Sequence, residues 1–348
     1  MIAIVAIAAC AHPRESGSLP ADLSRAPPFF DALLEPSAGR VIHGWGQFSS
    51  AWAEGAPEGR ADADDLDRYL RTLTPYKPAM LSFYVAPDPA ILASFLERYG
   101  ALARSRGFFV AEVGLYFQSF QGEVANGKRD RELHTLADGL RDAGLPVLLR
   151  IGYEFNNPWA LYDPQQFSTA FRRVVAVMRQ ERARNVAAVW NATAAGLPKR
   201  PWMDWYPGDD FVDWWSVNLF RFQDFTQVET GSFLDDARRH RKPVLIGEAA
   251  PILESVLPWR VRGPTSDAEA ARWYGDLIEL IRRRPEVKAV SLIAVNWRRL
   301  RSILPGWGWP DTRLDRWPAA RQKWRSGLGD YRFVHQEEAE RLYAGAAR

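Results

Sequence analysis

Two segments of this sequence, Pro146-Val-Leu-Leu-Arg-Ile-Gly-Tyr-Glu154 and Pro243-Val-Leu-Ile-Gly-Glu248, follow the same pattern. Each begins at a proline, continues as an apolar run typical of a buried parallel strand, and ends at a glutamate. An unpaired carboxylate is costly to desolvate, so a glutamate is an unusual residue at the end of such a strand. The two segments therefore predict a parallel α/β fold in which Glu154 and Glu248 belong to a functional site.

The rest of the chain repeats this alternation of strand and helix. Helical patterns begin at Pro89, Pro164 and Ser266, and others are expected near 130–143, 231–240 and 318–326. Eight strands in βα order predict a (β/α)8 barrel with a single catalytic domain, a fold whose working face is the carboxyl end of its strands. The six further strand-like runs are Val41–Trp45, Ala79–Val85, Phe108–Phe117, Val186–Trp190, Phe211–Phe220 and Val287–Val295.

We expect the barrel domain to occupy residues 37–326, between a linker at 11–36 and a helical tail at 327–348. The first ten residues form a short apolar segment that ends at Cys10 and is typical of a bacterial export signal. We therefore expect an exported protein: secreted, periplasmic, or an outer-membrane lipoprotein attached to the membrane only through a lipidated Cys10. No Lys or Arg precedes the apolar run, so a frayed amino terminus on a cytoplasmic protein is the alternative.

Composition excludes several classes of function. The 348 residues carry a net charge of only +3 with scattered basic residues, so we expect no nucleic-acid partner. The single cysteine and the five dispersed histidines contain no metal-ligand motif, and we predict no metal and no organic cofactor. The sequence also lacks the Gly-x-Ser-x-Gly motif of serine esterases. We expect a monomer.

Aromatic residues point to a class of ligand. The chain has 15 tryptophans, and many of them fall in segments expected to be loops. A flat indole ring suits the apolar face of a sugar. As a set, these residues favour a groove that binds a polysaccharide or oligosaccharide over a nucleotide pocket, although any single one is more readily explained by core packing.

Four ordered motifs extend this interpretation, and together they resemble glycoside hydrolase family 26. That family contains β-mannanases and related barrel enzymes with catalytic glutamates on strands four and seven. The resemblance covers roughly residues 40–325. Its motifs are Arg150-Ile-Gly-Tyr-Glu154-Phe-Asn-Asn-Pro-Trp159, Val189-Trp190-Asn191, Trp205-Tyr-Pro-Gly-Asp-Asp-Phe-Val-Asp213 and Ile246-Gly-Glu248.

The resemblance implies a retaining endo-β-glycosidase in which Glu154 is the general acid/base and Glu248 the nucleophile. Retention requires two carboxyl groups close together, one protonated at rest and one ionised. The substrate would be a β-linked polysaccharide, either mannan-like or a bacterial exopolysaccharide. The alternatives are a non-catalytic carbohydrate-binding barrel and, for each glutamate, a purely structural ion pair with an arginine.

Further residues are candidates for substrate binding. Arg150 lies four positions before Glu154, on the same face of the strand, and could hold Glu248 ionised or have a purely structural role. By resemblance, Trp297 would lie under the sugar at the cleavage point. The remaining candidates are His43, Trp45, Asn156, Trp159 and Tyr206, for which core packing or a turn is the alternative.

Two positions differ from the family pattern. Tyr153 stands where family 26 mannanases typically have a histidine before the acid/base. After strand six, where the clan often has a tyrosine that bonds the nucleophile, this chain has Asn218-Leu-Phe220, with no hydroxyl. Both differences leave the identity of the sugar open.

Overall fold

The structure, a computed structural model, describes residues 29–49, 58–157, 162–199, 201–257, 260–298, 309–330 and 332–344. Strands β1 to β7 and β10 each pair in parallel with the next, and β10 returns to pair with β1. This closes a barrel of eight strands, so the predicted (β/α)8 fold is confirmed. The strands are β1 (Val41–Ser49), β2 (Met80–Val85), β3 (Val110–Leu115), β4 (Val147–Ile151), β5 (Val186–Thr193), β6 (Trp214–Asn218), β7 (Val244–Ala249), β8 (Glu254–Leu257), β9 (Arg260–Arg262), β10 (Val287–Ile293) and β11 (Phe333–Val334).

Helices connect most successive strands of the barrel. Between β5 and β6 the described residues instead form three short 3-10 helices, and after β7 the antiparallel pair β8–β9 precedes the next helix. The helix over residues 58–73 was not predicted. The α-helices are α1 (Glu58–Leu73), α2 (Pro89–Arg106), α3 (Gln121–Ala125), α4 (Asp130–Asp142), α5 (Pro164–Gln180), α6 (Val228–Arg239), α7 (Asp267–Arg283), α8 (Pro318–Leu328) and α9 (Gln336–Tyr343).

Local sequence explains where three of these helices begin. The side chain of Asp88 accepts the backbone N–H groups of the first turn of α2, and Asp163 does the same for α5. In both helices a proline follows the cap, where its missing N–H has no cost. Ser266 accepts the backbone N–H of Glu269 at 3.1 Å and caps α7. The predicted helix starts at these three places are therefore observed.

The interior of the barrel is apolar at its amino end and polar toward its carboxyl end. Residues near the amino ends of the strands, such as Val110 on β3 and Leu148 on β4, form a buried apolar cluster. Two positions further along the same strands, the buried inward residues are Glu112 and Arg150. Because side chains alternate along a strand, these residues share the inner face. The polar half of the interior leads to the carboxyl end of the barrel.

The amino end of the barrel is closed by two segments from either end of the described chain. The Tyr343 hydroxyl donates to the backbone oxygen of Leu34 at 2.9 Å, and Arg40 pairs with Glu338 at 2.5 Å. The predicted boundaries are corrected accordingly, since residues 29–36 pack under the barrel and do not form a linker. Residues 332–344 likewise include β11, which pairs with β1, and α9.

Three predicted features fall wholly or partly outside the described residues. The export segment at 1–10 with Cys10 does so entirely, as do the linker up to residue 28 and the last residues of the tail, 345–348. Within the described ranges, the structure contains no helix with enough length and apolar character to cross a membrane.

Candidate active site

The carboxyl end of the barrel brings Glu154 and Glu248 together. Glu248 lies near the end of β7, and Glu154 follows β4 in a turn. Against β10, β7 contains one extra residue between Ile246 and Ala249, an irregularity of the kind that redirects a side chain. A Cβ on Gly247 would approach Arg150 to 3.0 Å, so a glycine at this position leaves room for that arginine beside β7.

Glu154 is placed by an irregular turn. The predicted fourth strand ran to Glu154, but β4 ends at Ile151, and both Gly152 (φ 60°) and Glu154 (φ 54°) are left-handed. This conformation costs a residue with a side chain about 1–2 kcal/mol. It is held by the side chain of Asn191 on β5, which accepts the backbone N–H of Glu154 at 3.0 Å. Such local strain is typical of functional sites.

Glu248 accepts hydrogen bonds from a cation and from a hydroxyl. Arg150 Nη1 donates to its Oε1 at 2.9 Å, and the Tyr84 hydroxyl donates to the same oxygen at 2.8 Å. Arg150 Nη2 also donates to the Tyr84 oxygen at 3.0 Å, which fixes the three groups relative to one another. Hydrogen bonds from a guanidinium to a carboxylate are among the stronger ones in proteins.

Glu154 has a different environment. Its two oxygens accept from neutral amides, Asn218 Nδ2 at 2.9 Å and Asn157 Nδ2 at 2.8 Å. Burial raises the pKa of the Glu154 carboxyl, and the negative charge of Glu248 raises it further, against the opposing effect of the two amides and Arg150. The two glutamates therefore differ in the way that an acid and a nucleophile must differ.

An amide network orients the group beside Glu154. Asn191 Nδ2 donates to the Ser216 hydroxyl at 2.7 Å and to Asn218 Oδ1 at 3.0 Å. With its oxygen engaged in this way, Asn218 presents its amide nitrogen to Glu154. The Asn191 side chain thereby supports both the backbone and, through Asn218, the carboxylate of Glu154.

The structure adds two residues that the sequence analysis missed. Tyr84, from β2, supplies the hydroxyl that the pattern after strand six lacked. Glu112, from β3, is fully buried and forms an ion pair with Arg150 Nε at 2.8 Å. A glutamate inside the run Phe108-Phe-Val-Ala-Glu-Val was a visible signal of the kind that identified Glu154 and Glu248. Tyr84 carried no comparable signal, because aromatic residues are ordinary in strands.

His43 and Trp45 are corrected as substrate-binding candidates. Both are fully buried on the outer side of β1. Trp45 contacts Tyr69 of α1 and donates its indole N–H to the backbone oxygen of Ala294 at 3.3 Å. His43 contacts His335, with Nε2 and Nδ1 2.9 Å apart. These residues pack the barrel against its surroundings and do not face the polar interior.

The side chains of Tyr206 and Asn156 are engaged by other parts of the fold. The Tyr206 ring packs against Trp215 and His240, and His240 ends the helix that leads into β7, at the amino end of the barrel. Asn156 uses both ends of its amide on the backbone of Thr193, at 2.8 and 3.0 Å. Both are structural residues, and the adjacent Asn157 is the one that contacts Glu154.

The remaining candidates have different outcomes. Arg150 lies at the centre of the site, as described above. Trp297 follows β10 on the carboxyl face, where its ring contacts Trp309, which in turn contacts Phe220 after β6. Trp297 is buried, and its role under a sugar stays a prediction. Trp159 lies outside the described residues.

Fold and site together define an eight-stranded βα barrel with a pair of differently held carboxyl groups at its carboxyl end. Nothing in the described part of the chain groups three His, Cys, Asp or Glu side chains as a metal site would require. The arrangement is suited to acid and nucleophilic chemistry by side chains.

Comparisons with known proteins agree with a barrel enzyme that uses carboxyl side chains. Over 247 residues the sequence is 28% identical to a β-1,3-xylanase of a Vibrio species. The alignment covers 65% of this chain and 53% of that protein. A β-1,3-xylanase of an Alcaligenes species is 26% identical over 241 residues, 64% of this chain and 51% of the relative. The chain thus spans about half the length of the curated relatives it matches.

Solved structures extend the similarity over most of the chain. A family 26 β-mannanase from Bacteroides ovatus covers 88% of this chain and 93% of its own, with a TM-score of 0.56 and 16% identity. No protein-family model matches the sequence. The structural likeness establishes the fold, and these sequence relatives are named as β-1,3-xylanases. The predicted resemblance to glycoside hydrolase family 26 is confirmed.

Proposed function

We propose that this protein is a retaining endo-β-glycosidase that hydrolyses a β-linked polysaccharide. The observation that supports the proposal most directly is the contrast between the two glutamates. Glu248 accepts from a guanidinium and a hydroxyl, whereas Glu154 accepts from two neutral amides and has a raised pKa. The relatives, named as β-1,3-xylanases and β-mannanases, support the same class of reaction.

In the first step, Glu248 attacks the anomeric carbon while Glu154 gives its proton to the departing glycosidic oxygen. The bond from the anomeric carbon to that oxygen breaks, and an ester to Glu248 forms. Both donors to Glu248 contact Oε1, so Oε2 is the oxygen that attacks. Arg150 and Tyr84 orient the carboxylate for this step.

In the second step, Glu154, now ionised, takes a proton from water. The resulting hydroxide attacks the anomeric carbon from the face that the leaving group vacated, and Glu248 departs as a carboxylate. Two inversions return the original configuration. Arg150 and Tyr84 then stabilise the charge that reappears on Glu248.

The relatives suggest two classes of polymer. β-1,3-Xylan follows from the names of the sequence relatives, and β-mannan from that of the structural neighbour. Tyr153, which contacts the rings of Tyr84 and Tyr116, adds an aromatic wall next to Glu154. A bacterial exopolysaccharide is the third class, because Tyr153 stands where family 26 mannanases typically have a histidine.

The test is a panel of these polymers incubated with the wild-type protein, Glu154→Gln and Glu248→Gln. Glu279→Gln serves as the matched control, since Glu279 is an exposed residue of α7 paired with Arg283. We expect reducing ends from one polymer, lost in both site variants and kept in the control. Product sizes report endo action, and the anomer first seen by proton NMR reports retention. Binding to a polymer without release of reducing ends would favour a carbohydrate-binding barrel.

We also propose export of the protein, with lipidation of Cys10, from the apolar segment 1–10. Fractionation of cells together with fatty-acid labelling tests this. We expect label on the wild type and none on Cys10→Ser. Unlabelled protein in the cytoplasm would contradict both parts of the proposal.

A further inference from the structure

Glu112 is a third carboxylate inside the barrel, below the pair at its mouth. It is fully buried on the inner face of β3. One of its oxygens lies 2.8 Å from Arg150 Nε, and the other accepts a short hydrogen bond from the Ser82 hydroxyl on β2. Ser82 in turn contacts the Ser291 hydroxyl on β10 at 3.0 Å. The proposed reaction gives Glu112 no part, yet a buried charge is costly to keep without a purpose.

Glu112 contributes to the placement of Arg150 through its charge. A guanidinium is planar, and its N–H groups point in fixed directions. Glu112 lies beside Nε as an ion pair at 2.8 Å, without hydrogen-bond geometry, while the two remaining nitrogens donate to Glu248 and Tyr84 at 2.9 and 3.0 Å. Arg150 is fully buried, so no solvent replaces a lost partner. Removing the Glu112 carboxylate would leave the guanidinium held only from the side of Glu248 and Tyr84 among the polar contacts of the described residues.

Glu112 also divides the charge of Arg150. One guanidinium serves two carboxylates in this cluster, Glu112 and Glu248. When both are ionised, the cluster has a net charge of −1. The negative Glu112 then offsets part of the stabilisation that Arg150 gives to Glu248, so Glu248 is the more reactive nucleophile. When Glu112 is protonated, the whole positive charge of Arg150 acts on Glu248 and stabilises it before the reaction, which raises the barrier to attack.

We propose that Glu112 is a positioning residue that sets the reactivity of Glu248 through Arg150, and that its ionisation switches Glu248 to its more reactive form. This inference rests on the proposed glycosidase function. The groups that face Glu112 are Arg150 on β4, Glu248 on β7, Tyr84 and Ser82 on β2, and Ser291 on β10. Burial raises the pKa of Glu112 to about 7, so the switch falls near neutral pH.

The test compares pH–rate profiles of the wild type and Glu112→Gln on the polymer identified by the panel. Glutamine keeps the size of the side chain and an oxygen for Arg150, but it cannot ionise. We expect an acidic limb near pH 7 in the wild type. In Glu112→Gln we expect this limb to disappear, with kcat lowered by about tenfold and KM little changed.

Glu286→Gln is the matched control. Glu286 is also a buried glutamate, paired with an arginine, Arg284 Nε, at 2.6 Å, but it lies just before β10 at the opposite end of the barrel. We expect the control to keep the wild-type profile. If Glu112→Gln also keeps the wild-type limb and kcat, the positioning role is overturned.

A second variant covers the case in which Glu112→Gln does not fold. Ser82→Ala removes a hydrogen bond that lowers the pKa of Glu112, so we expect the acidic limb to move to higher pH. An unmoved limb in Ser82→Ala would overturn the proposal.

Failure of the proposed function has its own signature. An inactive wild type, or activity retained by Glu248→Gln, refutes the glycosidase assignment itself. The ionisation of Glu112 can still be measured then, because infrared difference spectra report carboxyl titration without turnover. We expect a carboxyl group that titrates near pH 7 in the wild type and is absent from Glu112→Gln. Titration of carboxyl groups only in the ordinary acidic range would contradict the ionisation proposed for Glu112.

Discussion

The Tyr84 hydroxyl reaches Glu248 across the barrel interior and donates to Oε1 at 2.8 Å, although the two residues are 164 positions apart in sequence. The same tyrosine oxygen accepts from Arg150, so it links the cation to the carboxylate. The hydroxyl comes from β2, whereas the family pattern placed it after strand six. The same hydrogen bond is thus made from a different strand of the barrel.

Tyr84→Phe should therefore lower kcat. A hydrogen bond to a charged group contributes about 1.5–3 kcal/mol, which corresponds to roughly a 10- to 100-fold loss. Steady-state kinetics on the preferred polymer measure the effect. Tyr69→Phe is the control, because Tyr69 is another buried tyrosine, whose hydroxyl accepts from Trp324 away from the site. Equal losses in the two variants would indicate a merely structural role for Tyr84.

Glu154→Ala should affect substrates according to their leaving groups. A polysaccharide has a poor leaving group that needs a proton, so we expect its kcat to fall by about 10²–10⁴-fold. The leaving group of an activated aryl glycoside departs without that proton, so formation of the Glu248 ester from such a substrate should be much less affected. The ratio of the two rates is the measurement, and equal slowing of both substrates would argue against an acid role.

Asn218→Ala should shift the alkaline limb of the pH–rate profile to higher pH. The hydrogen bonds from Asn218 and Asn157 lower the pKa of Glu154 against the effects of burial and Glu248. Without one of them, Glu154 stays protonated to higher pH and remains able to act as an acid. Asn157→Ala is expected to shift the limb in the same direction. A shift to lower pH in both variants is the outcome that contradicts this account.

His43 and His335 should make folding sensitive to mild acid. Burial is the main cause that lowers the pKa of each ring, and for His43 the neighbouring His335 adds to it. Below about pH 6.5 the unfolded chain therefore binds protons that the folded chain excludes, so stability falls as pH falls. We expect Tm to decrease less steeply from pH 7 to 5 in His43→Gln than in the wild type.

The control for this measurement is His134→Gln, a half-buried histidine that contacts Glu181. Glu112 acts in the opposite direction, because its raised pKa makes the folded state bind a proton more readily and so favours folding at lower pH. The informative quantity is thus the difference in Tm between variant and wild type at each pH. If the dependence of Tm on pH is unchanged in His43→Gln, the pair His43 and His335 is excluded as the cause of the acid sensitivity.

Trp45→Ala should reduce stability and leave the chemistry intact. Trp45 is fully buried between β1 and α1, and loss of a buried tryptophan side chain costs about 3–5 kcal/mol. Denaturant unfolding measures the cost. We expect KM and kcat per folded molecule to match the wild type, and a selective rise in KM would restore Trp45 as a substrate contact.

The barrel could be predicted because its signals are local. All eight predicted strands are present, and the helices that start at Pro89 and Pro164 begin where their prolines indicated. Strand ends were predicted less well. β4 stops at Ile151 because Gly152 and Glu154 adopt left-handed conformations, which depend on the contact from Asn191 on the next strand.

The site could be predicted only in part. Glu154 and Glu248 were visible because a carboxylate at the end of a buried run is conspicuous, and Arg150 followed from its even spacing to Glu154. Tyr84 could not be found, because a tyrosine in a strand is unremarkable until a carboxylate lies opposite it. His43 and Trp45 were assigned to the mouth of the barrel from their position near a strand end.

The sequence by itself determined the order of strands and helices, the barrel class and the presence of two carboxylates at strand ends. Tertiary structure alone decided which side chains of each strand point inward. On β1, Gly46 faces Ser82 and Ser291 in the interior, while Trp45 faces the helices. The physical reason is that a parallel barrel buries both faces of its strands. Hydrophobicity then marks neither face, and only closure of the barrel, by pairing β1 with β10, brings Tyr84, Glu112, Arg150 and Glu248 into one cluster.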